Sequence, residues 1–154
     1  MKRKFVIAIS ALLFLCVMFT LASCGFLKDK GYYDMGKDRI TSMGGFAGER
    51  KMTGVETSIS NGVATNIYKY QTDPQIKTQA VDDVYGYIFY LVEKENFIFT
   101  IDIPEFPDNG GIDIQLAKES ADAGKIIVLE IDYKTSGYTL TFSKFEGTLT
   151  YYDD

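Results

Sequence analysis

A nearly continuous apolar stretch at the start of the chain places the strongest limit on how the rest can fold. The positive cluster Lys2-Arg3-Lys4 precedes it, and residues 5–21 are apolar apart from one serine, one threonine and one cysteine. About 17 to 25 apolar residues suffice to span a bilayer, so the stretch fits a permanent membrane helix. A charged start followed by an apolar run is also the form of a signal peptide. In either case the folded domain is built from the residues that follow.

The residues that end the stretch favour its removal. Leu21-Ala22-Ser23-Cys24 resembles the lipobox of bacterial lipoprotein precursors, in which a large aliphatic residue and two small residues precede a cysteine. In that family the cysteine thiol receives a diacylglycerol and a signal peptidase cleaves before it. The resemblance implies a signal peptide over residues 1–23 and a covalently lipidated Cys24 at the new N-terminus. It also implies a protein held on the extracytoplasmic face of the cell membrane by its acyl chains, such as palmitate.

This processing leaves the domain without a thiol that could stabilise it. The chain has two cysteines, of which Cys16 leaves with the signal peptide and Cys24 carries the lipid. We therefore expect no disulfide within the domain, whose stability must come from the burial of apolar surface.

The charge of the chain excludes one class of partner. Removal of the three basic residues at positions 2–4 takes the net charge from −5 to −8. Nucleic-acid binding requires a basic surface, and we find no basic stripe. We therefore expect no nucleic-acid partner and no adhesion to anionic lipid beyond the acyl anchor.

The composition of residues 24–54 predicts a flexible tether that begins at the lipidated cysteine. They contain seven of the fourteen glycines and few β-branched residues, so they offer little apolar surface to bury. Tyr32-Tyr33 and Met43-Gly44-Gly45-Phe46 are the two places where this tether has side chains that could dock on the domain or on a partner.

Residues 55–154 have the pattern of an α+β domain. Val55–Ile59 and Val63–Tyr70 flank Ser60-Asn61-Gly62, and Asn-Gly is the preferred turn of a tight hairpin. Asp73-Pro74 is a helix start signal, which predicts a helix over residues 74–94. Its inward stripe is Ile76, Ala80, Val84, Ile88 and Leu91. The alternative is a strand over residues 85–92, which are rich in aromatic and β-branched types.

Short β-rich segments follow the predicted helix to the end of the chain. We predict strands at 97–103, 112–117, 126–133 and 138–145, and a further one at 147–152. The connections between them are short, which favours antiparallel neighbours. One helix packed on an antiparallel sheet is the resulting fold prediction.

An acidic loop is the first candidate site. Asp108 is the first residue of the Asp-Asn-Gly-Gly sequence, and Asp102 and Asp113 lie on either side of it. Calcium favours such oxygen ligands. The spacing matches no EF-hand pattern, and the same residues are typical of a plain turn. Both interpretations stay open for this loop.

Paired carboxylates for catalysis are the second candidate. Asp82 and Asp83 are adjacent on the predicted helix, where we expect them on a solvent-exposed face. Glu130 and Asp132 alternate with apolar residues on a half-buried strand. No imidazole base is available, because the chain contains no histidine. We therefore predict that the domain is not an enzyme and needs no cofactor besides its covalent lipid.

Tyrosine is the one residue type in excess, with eleven in the chain. Tyrosine is enriched at binding surfaces, although it is also a good strand former. Tyr68 and Tyr70 lie two residues apart and share one face of a strand, so we select them as candidate ligand-binding residues. This predicts a non-catalytic interaction module for an envelope protein or a cell-wall component. The alternative is an envelope enzyme or a calcium-dependent carbohydrate-binding protein that uses the loop at 102–113.

Overall fold

The computed structural model describes residues 27–100, 107, 110 and 114–150. This part contains two helices, the short α1 (Met43–Ala47) and the long α2 (Gln79–Lys94). Its strands are, in chain order, β1 (Tyr32–Met35), β2 (Asp38–Thr41), β3 (Lys51–Ser60), β4 (Val63–Gln71), β5 (Ile98–Phe99), β6 (Ile114–Glu119), β7 (Lys125–Lys134) and β8 (Gly137–Glu146).

Six of these strands form one antiparallel sheet in the order β3-β4-β8-β7-β6-β5. β1 and β2 form a separate antiparallel hairpin. The predicted turn between β3 and β4 is confirmed, since Asn61 and Gly62 have φ angles of 51° and 81°. Positive φ at both central residues is the geometry of a type I′ turn, which matches the twist of paired strands.

The core lies between one face of this sheet and the elements that cover it. On that face Tyr68 of β4, Leu140 of β8 and Ile131 of β7 are neighbours across the strands. α2 packs on β7 and β8 with a fully buried stripe consisting of Ala80, Val84, Tyr87, Ile88 and Leu91. The predicted fold, one long helix on an antiparallel sheet, is confirmed, and the strand alternative for residues 85–92 is wrong.

The start of the helix differs from the prediction. The Asp73 carboxylate accepts a hydrogen bond from the Gln75 backbone N–H at 2.9 Å, which closes a local turn instead of capping a helix. Further turns follow, and the helix begins at Gln79. Ile76 therefore lies outside the helix and is 50% exposed, so the prediction that it faces inward is wrong.

The strands after α2 agree with the predictions to different degrees. The segment at 97–103 forms a strand only at Ile98–Phe99 within the described residues, and 101–103 lie outside them. Residues 147–150 form no strand. The predicted strands at 126–133 and 138–145 are confirmed and extend one residue further at each end.

The prediction of a flexible tether over residues 24–54 is wrong for residues 27–54, whereas 24–26 lie outside the described part. This stretch contains β1, β2, α1 and the start of β3, and it supplies Tyr33, Met35, Ile40 and Met43 to the core. Glycine content indicates where a backbone bends easily and does not exclude packing. Gly36, for example, has a φ of 79° in the tight turn between β1 and β2.

A buried lysine fixes the β1–β2 hairpin to the sheet. Lys144 of β8 donates hydrogen bonds to the Met35 carbonyl at 2.8 Å and to the Asp38 carboxylate at 2.9 Å, and it also pairs with Asp122. Burial lowers the pKa of Lys144, but its bonds to Asp122 and Asp38 outweigh this and hold it above the usual value. The hairpin is therefore part of the domain.

Candidate functional site

Four predicted site residues lie outside the described part of the chain: Cys24, Asp102, Asp108 and Asp113. Within residues 27–100, 107, 110 and 114–150, no group of three or more potential metal-ligating side chains is close enough to hold an ion. Calcium binding by the loop at 102–113 therefore stays a prediction.

Tyr68 and Tyr70 share one face of β4, as predicted, but this is the covered face of the sheet. Tyr70 is 4% exposed and stacks on Tyr138 with ring centroids 5.2 Å apart. Tyr68 is half-buried and stacks on Tyr33 at 4.1 Å. Tyr68 lines a cavity at the edge of the core, whereas Tyr70 borders a different open pocket between β4, β7 and β8. The structure thus places the two tyrosines at different cavities, with the Tyr70 side chain almost fully buried.

The hydroxyl of Tyr70 instead belongs to a network around Asp29. The Asp29 carboxylate accepts hydrogen bonds from the Tyr70 hydroxyl at 2.6 Å, the Gly31 N–H at 2.8 Å and the Gly44 N–H at 2.9 Å. The Ser42 hydroxyl is its fourth donor. Burial raises the pKa of Asp29, but these bonds to its charged form outweigh burial and lower the pKa below the usual value.

A chain of hydroxyl groups extends this network into the core. The Met43 N–H donates to the Tyr33 hydroxyl at 3.0 Å, and the hydroxyls of Tyr33 and Tyr70 are 2.7 Å apart. Because Tyr70 donates to Asp29, Tyr33 is the donor in the Tyr33–Tyr70 bond. Burial raises the pKa of both tyrosines well above the ordinary value.

The first turn of α1 binds the Asp29 carboxylate. Ser42 is the N-cap residue, and its hydroxyl accepts from the Gly45 N–H at 3.1 Å. Glycine is required at positions 44 and 45, because a Cβ on Gly44 would lie 2.7 Å from the Asp29 carboxyl group. One on Gly45 would lie 2.4 Å from the Gly31 carbonyl oxygen. The backbone of residues 29–31 therefore approaches α1 more closely than any side chain permits.

An open groove of about 690 Å³ borders this network. It is lined by residues 27–31, Gly44 and residues 49–51. The charged side chains that line it are Lys28, Asp29, Lys30, Glu49, Arg50 and Lys51. Four basic and two acidic groups make the groove locally positive, on a chain whose net charge is −5.

A smaller cavity of about 190 Å³ adjoins the groove and shares Lys28, Asp29 and Lys30 with it. Its apolar lining consists of Tyr32, Tyr33, Met52, Val55 and Tyr68. Groove and cavity together form one candidate binding site, in which basic side chains lie next to aromatic and aliphatic surface.

Arg50 of the groove is held by an aspartate of α2. Its guanidinium donates to both carboxylate oxygens of Asp83, at 2.7 Å and 2.9 Å, and the Tyr138 hydroxyl donates to the same carboxylate at 3.2 Å. Asp83 is 6% exposed, so the prediction that Asp83 lies on a solvated face is wrong. Asp82, by contrast, is exposed as predicted, as are Glu130 and Asp132 on the outer face of the sheet.

At neutral pH the groups around Asp29 keep fixed protonation states, so they are poorly suited to transfer protons. The lowered pKa of Asp29 keeps it a charged acceptor, and the raised pKa values of Tyr33 and Tyr70 keep both hydroxyls protonated. A general acid or base works best with a pKa near the working pH. The arrangement therefore supports binding better than acid–base catalysis.

Sequence reasoning missed the central residue of this site. Asp29 lies between two lysines before a glycine, a pattern typical of an exposed turn. Its main partner on the sheet, Tyr70, is 41 residues away along the chain. The only usable signal was Ser42, a good N-cap residue before the glycines of α1.

Comparison with known proteins adds no relative. No helix of the described residues is long and apolar enough to cross a membrane. No family model, no curated protein and no solved structure matches the chain.

Proposed function

We propose that the mature protein is an extracytoplasmic lipoprotein, anchored to the cell membrane through Cys24, that binds an anionic envelope component without catalysing a reaction. The positive cluster, apolar stretch and Leu-Ala-Ser-Cys order at residues 2–24 support the anchor. The observation that carries the binding function is the locally positive groove beside an aromatic cavity.

The charges of the groove favour an anionic group on the ligand. Arg50 is neutralised by Asp83, and the Asp29 carboxylate is occupied by four hydrogen-bond donors. Asp29 keeps its charge, so the groove lining then carries three lysines, Lys28, Lys30 and Lys51, against two carboxylates, Asp29 and Glu49. On a protein with an overall negative charge, a local positive field attracts and orients an anionic ligand.

The neighbouring cavity favours a ligand that also carries apolar surface. Tyr68 contributes a half-buried ring and Val55 a partly exposed aliphatic side chain. A peptide with a free carboxylate, such as the peptide part of a bacterial wall, combines both features. We therefore favour a wall peptide over an unmodified sugar chain.

The corrected domain boundary places this site close to the proposed anchor. Only residues 25 and 26 separate Cys24 from Leu27, which forms a bridge with Met52 of β3. Three residue steps span at most about 10 Å. The groove would thus lie near the membrane surface, where lipid headgroups are a second source of anionic groups.

The anchor is tested by mass spectrometry of the protein purified from cell membranes. We expect an N-terminal Cys24 with attached acyl chains, and we expect Cys24→Ser to leave the uncut precursor. An unmodified Cys24, or a chain that keeps Met1, would contradict the proposed anchor.

The binding function is tested by cosedimentation of the mature chain with purified peptidoglycan and, separately, with vesicles of anionic lipid. We expect binding to peptidoglycan that weakens at least tenfold in the double variant Lys28→Glu/Lys30→Glu. The matched control, Lys94→Glu/Lys125→Glu, changes the net charge equally at positions away from the groove and should bind normally.

Three results would overturn the proposal. Equal loss of binding in both double variants would show that the overall charge of the protein, and not the groove, determines binding. Binding to vesicles alone would assign the groove to lipid headgroups. Turnover of a wall substrate by the purified protein would contradict the absence of catalysis.

A further inference from the structure

One edge of the large sheet is unusually open. β3 is ten residues long and lies at the end of the sheet, where β4 is its one neighbouring strand. The two strands pair in regular register from Gly54 to Ser60. In the described part of the chain, the only β-bridge on its other side is the one between Leu27 and Met52. Proteins normally protect such an edge by shortening it or by placing charges or proline on it. Within the described residues, the strand at the opposite edge, β5, is only two residues long.

The hairpin turn determines which backbone groups of β3 point outward. In a hairpin with a two-residue type I′ loop, the residues flanking the loop, here Ser60 and Val63, exchange both of their hydrogen bonds. The pairs alternate from there, and the register is regular from Ser60 to Val55. Val55, Thr57 and Ile59 therefore direct their N–H and C=O groups away from β4, towards the open edge.

The side chains of these three residues are also exposed. Val55 is 43% exposed and Ile59 is 79% exposed. Both lie on the face of the sheet that carries the core, beyond the part that α2 and the β1–β2 hairpin cover, since their partners on β4 are Tyr68 and Ala64. The edge thus combines free hydrogen-bonding groups with uncovered aliphatic surface.

A second copy of the same strand satisfies all of these groups. In an antiparallel pair centred on Thr57, each Val55 lies opposite the Ile59 of the other copy, and the two Thr57 residues face each other. All three positions direct their N–H and C=O groups outward, so the pair forms about six hydrogen bonds. The two exposed aliphatic residues cover each other on one face.

The same register also avoids repulsion. Glu56 lies opposite Ser58 of the other copy, so the two Glu56 carboxylates do not meet, and each already pairs with Lys69 of its own chain. A pair centred on Val55 would run into the irregularity between Met52 and Gly54. One centred on Ile59 would run into the turn at Asn61 and Gly62.

We propose that two copies of the chain associate through β3, antiparallel and centred on Thr57, and so join their sheets into one continuous sheet. The contact is isologous, as in most symmetric homodimers. The contact uses neither Cys24 nor the basic residues of the groove, but Val55 also lines the adjoining cavity, so the contact borders the candidate binding site.

The oligomeric state is the first test, measured by sedimentation velocity of the mature chain over a range of concentrations. We expect a dimer that Ile59→Lys weakens at least tenfold, because the variant places a charge opposite Val55 of the partner copy. Ile76→Lys is the matched control, since Ile76 is a similarly exposed isoleucine outside the sheet, and it should leave the dimer intact. Thermal melting checks that both variants fold.

Disulfide trapping tests the register. In the proposed pair, residues 56 and 58 of different copies have Cα atoms about 4.5 Å apart, within disulfide range. The double variant Glu56→Cys/Ser58→Cys should therefore form a covalent dimer. Each single variant places its cysteines on a diagonal about 7–8 Å apart, so it should crosslink no more than the parent chain.

Several outcomes would overturn the proposal. A wild-type chain that stays monomeric would do so, as would a dimer equally sensitive to Ile59→Lys and Ile76→Lys. Loss of vesicle binding by Ile59→Lys in a monomeric chain would assign the edge to a lipid surface. Equal crosslinking by the single and double variants would reject the register.

Discussion

At the scale of single residues, position on an element decides the role of a charged side chain. Asp82 and Asp83 are neighbours in α2, but successive helix residues point about 100° apart. Asp82 reaches solvent, whereas Asp83 meets Arg50 and Tyr138 at the edge of the core. Both aspartates look alike in the sequence, because the partners of Asp83 lie 33 and 55 residues away.

We therefore expect Asp83→Ala to lower the free energy of unfolding by about 2–3 kcal/mol, since it leaves the Arg50 guanidinium and the Tyr138 hydroxyl without their acceptor. The estimate is at the low end for a buried pair because Arg50 is partly exposed. Denaturant unfolding measures the change. Asp82→Ala is the control and should change stability by less than about 0.5 kcal/mol. Equal small effects would show that the Arg50–Asp83 contact contributes nothing measurable.

At the scale of elements, the β1–β2 hairpin covers the core where α2 does not reach. Tyr33 stacks on Tyr68 and lies 5.1 Å from the Phe142 ring, so the hairpin closes the core over β4 and β8. Its outer end is held by Asp38, which accepts from Lys144, the Ser120 hydroxyl at 2.6 Å and the Ala121 N–H at 2.8 Å. The hairpin therefore depends on contacts to two distant parts of the sheet.

Asp38→Ala tests this attachment. Removal of the carboxylate leaves the Ser120 hydroxyl and the Ala121 N–H without their acceptor and takes one of three partners from the buried Lys144. We therefore expect a loss of about 2–4 kcal/mol in the free energy of unfolding. Hydrogen exchange should speed up more in residues 32–41 than in α2, since local opening of the hairpin becomes easier. Lys37→Ala, an exposed neighbour in the same turn, should change neither quantity. Uniformly faster exchange would mean that the hairpin and the sheet open as one unit.

In the molecule as a whole, several tyrosines are part of the buried core. Tyr33, Tyr70, Tyr87 and Tyr138 are buried, and burial raises the pKa of each above the ordinary value of 10.0. Each hydroxyl has a hydrogen-bond partner, such as the Thr41 carbonyl, which accepts from Tyr87 at 2.6 Å. The excess of tyrosine thus reflects a core with polar connections and does not by itself indicate an exposed recognition face.

These shifts predict how stability depends on alkaline pH. The folded-state pKa values lie above the unfolded ones, so the stabilisation is fully present below about pH 10 and is lost as the pH rises further. An absorbance titration of the folded protein should show that these four tyrosines ionise only together with unfolding. The same titration in concentrated urea should show all eleven ionising near pH 10. Ionisation of all eleven in the folded protein near pH 10 would contradict their burial.

Elements whose signals are local were predictable from the sequence alone. The Asn61-Gly62 turn, the stripe from Ala80 to Leu91 and the alternation along β7 and β8 each depend on residues a few positions apart, and each was predicted correctly. Three features became visible only in the folded chain: residues 27–54 belong to the domain, Tyr70 is buried, and Asp29 lies at the centre of the site. The physical reason is distance along the chain. The contacts Tyr33–Tyr70 and Asp38–Lys144 join residues 37 and 106 positions apart, and no local pattern of charge or hydrophobicity shows which distant partner will neutralise a charge or cover a ring.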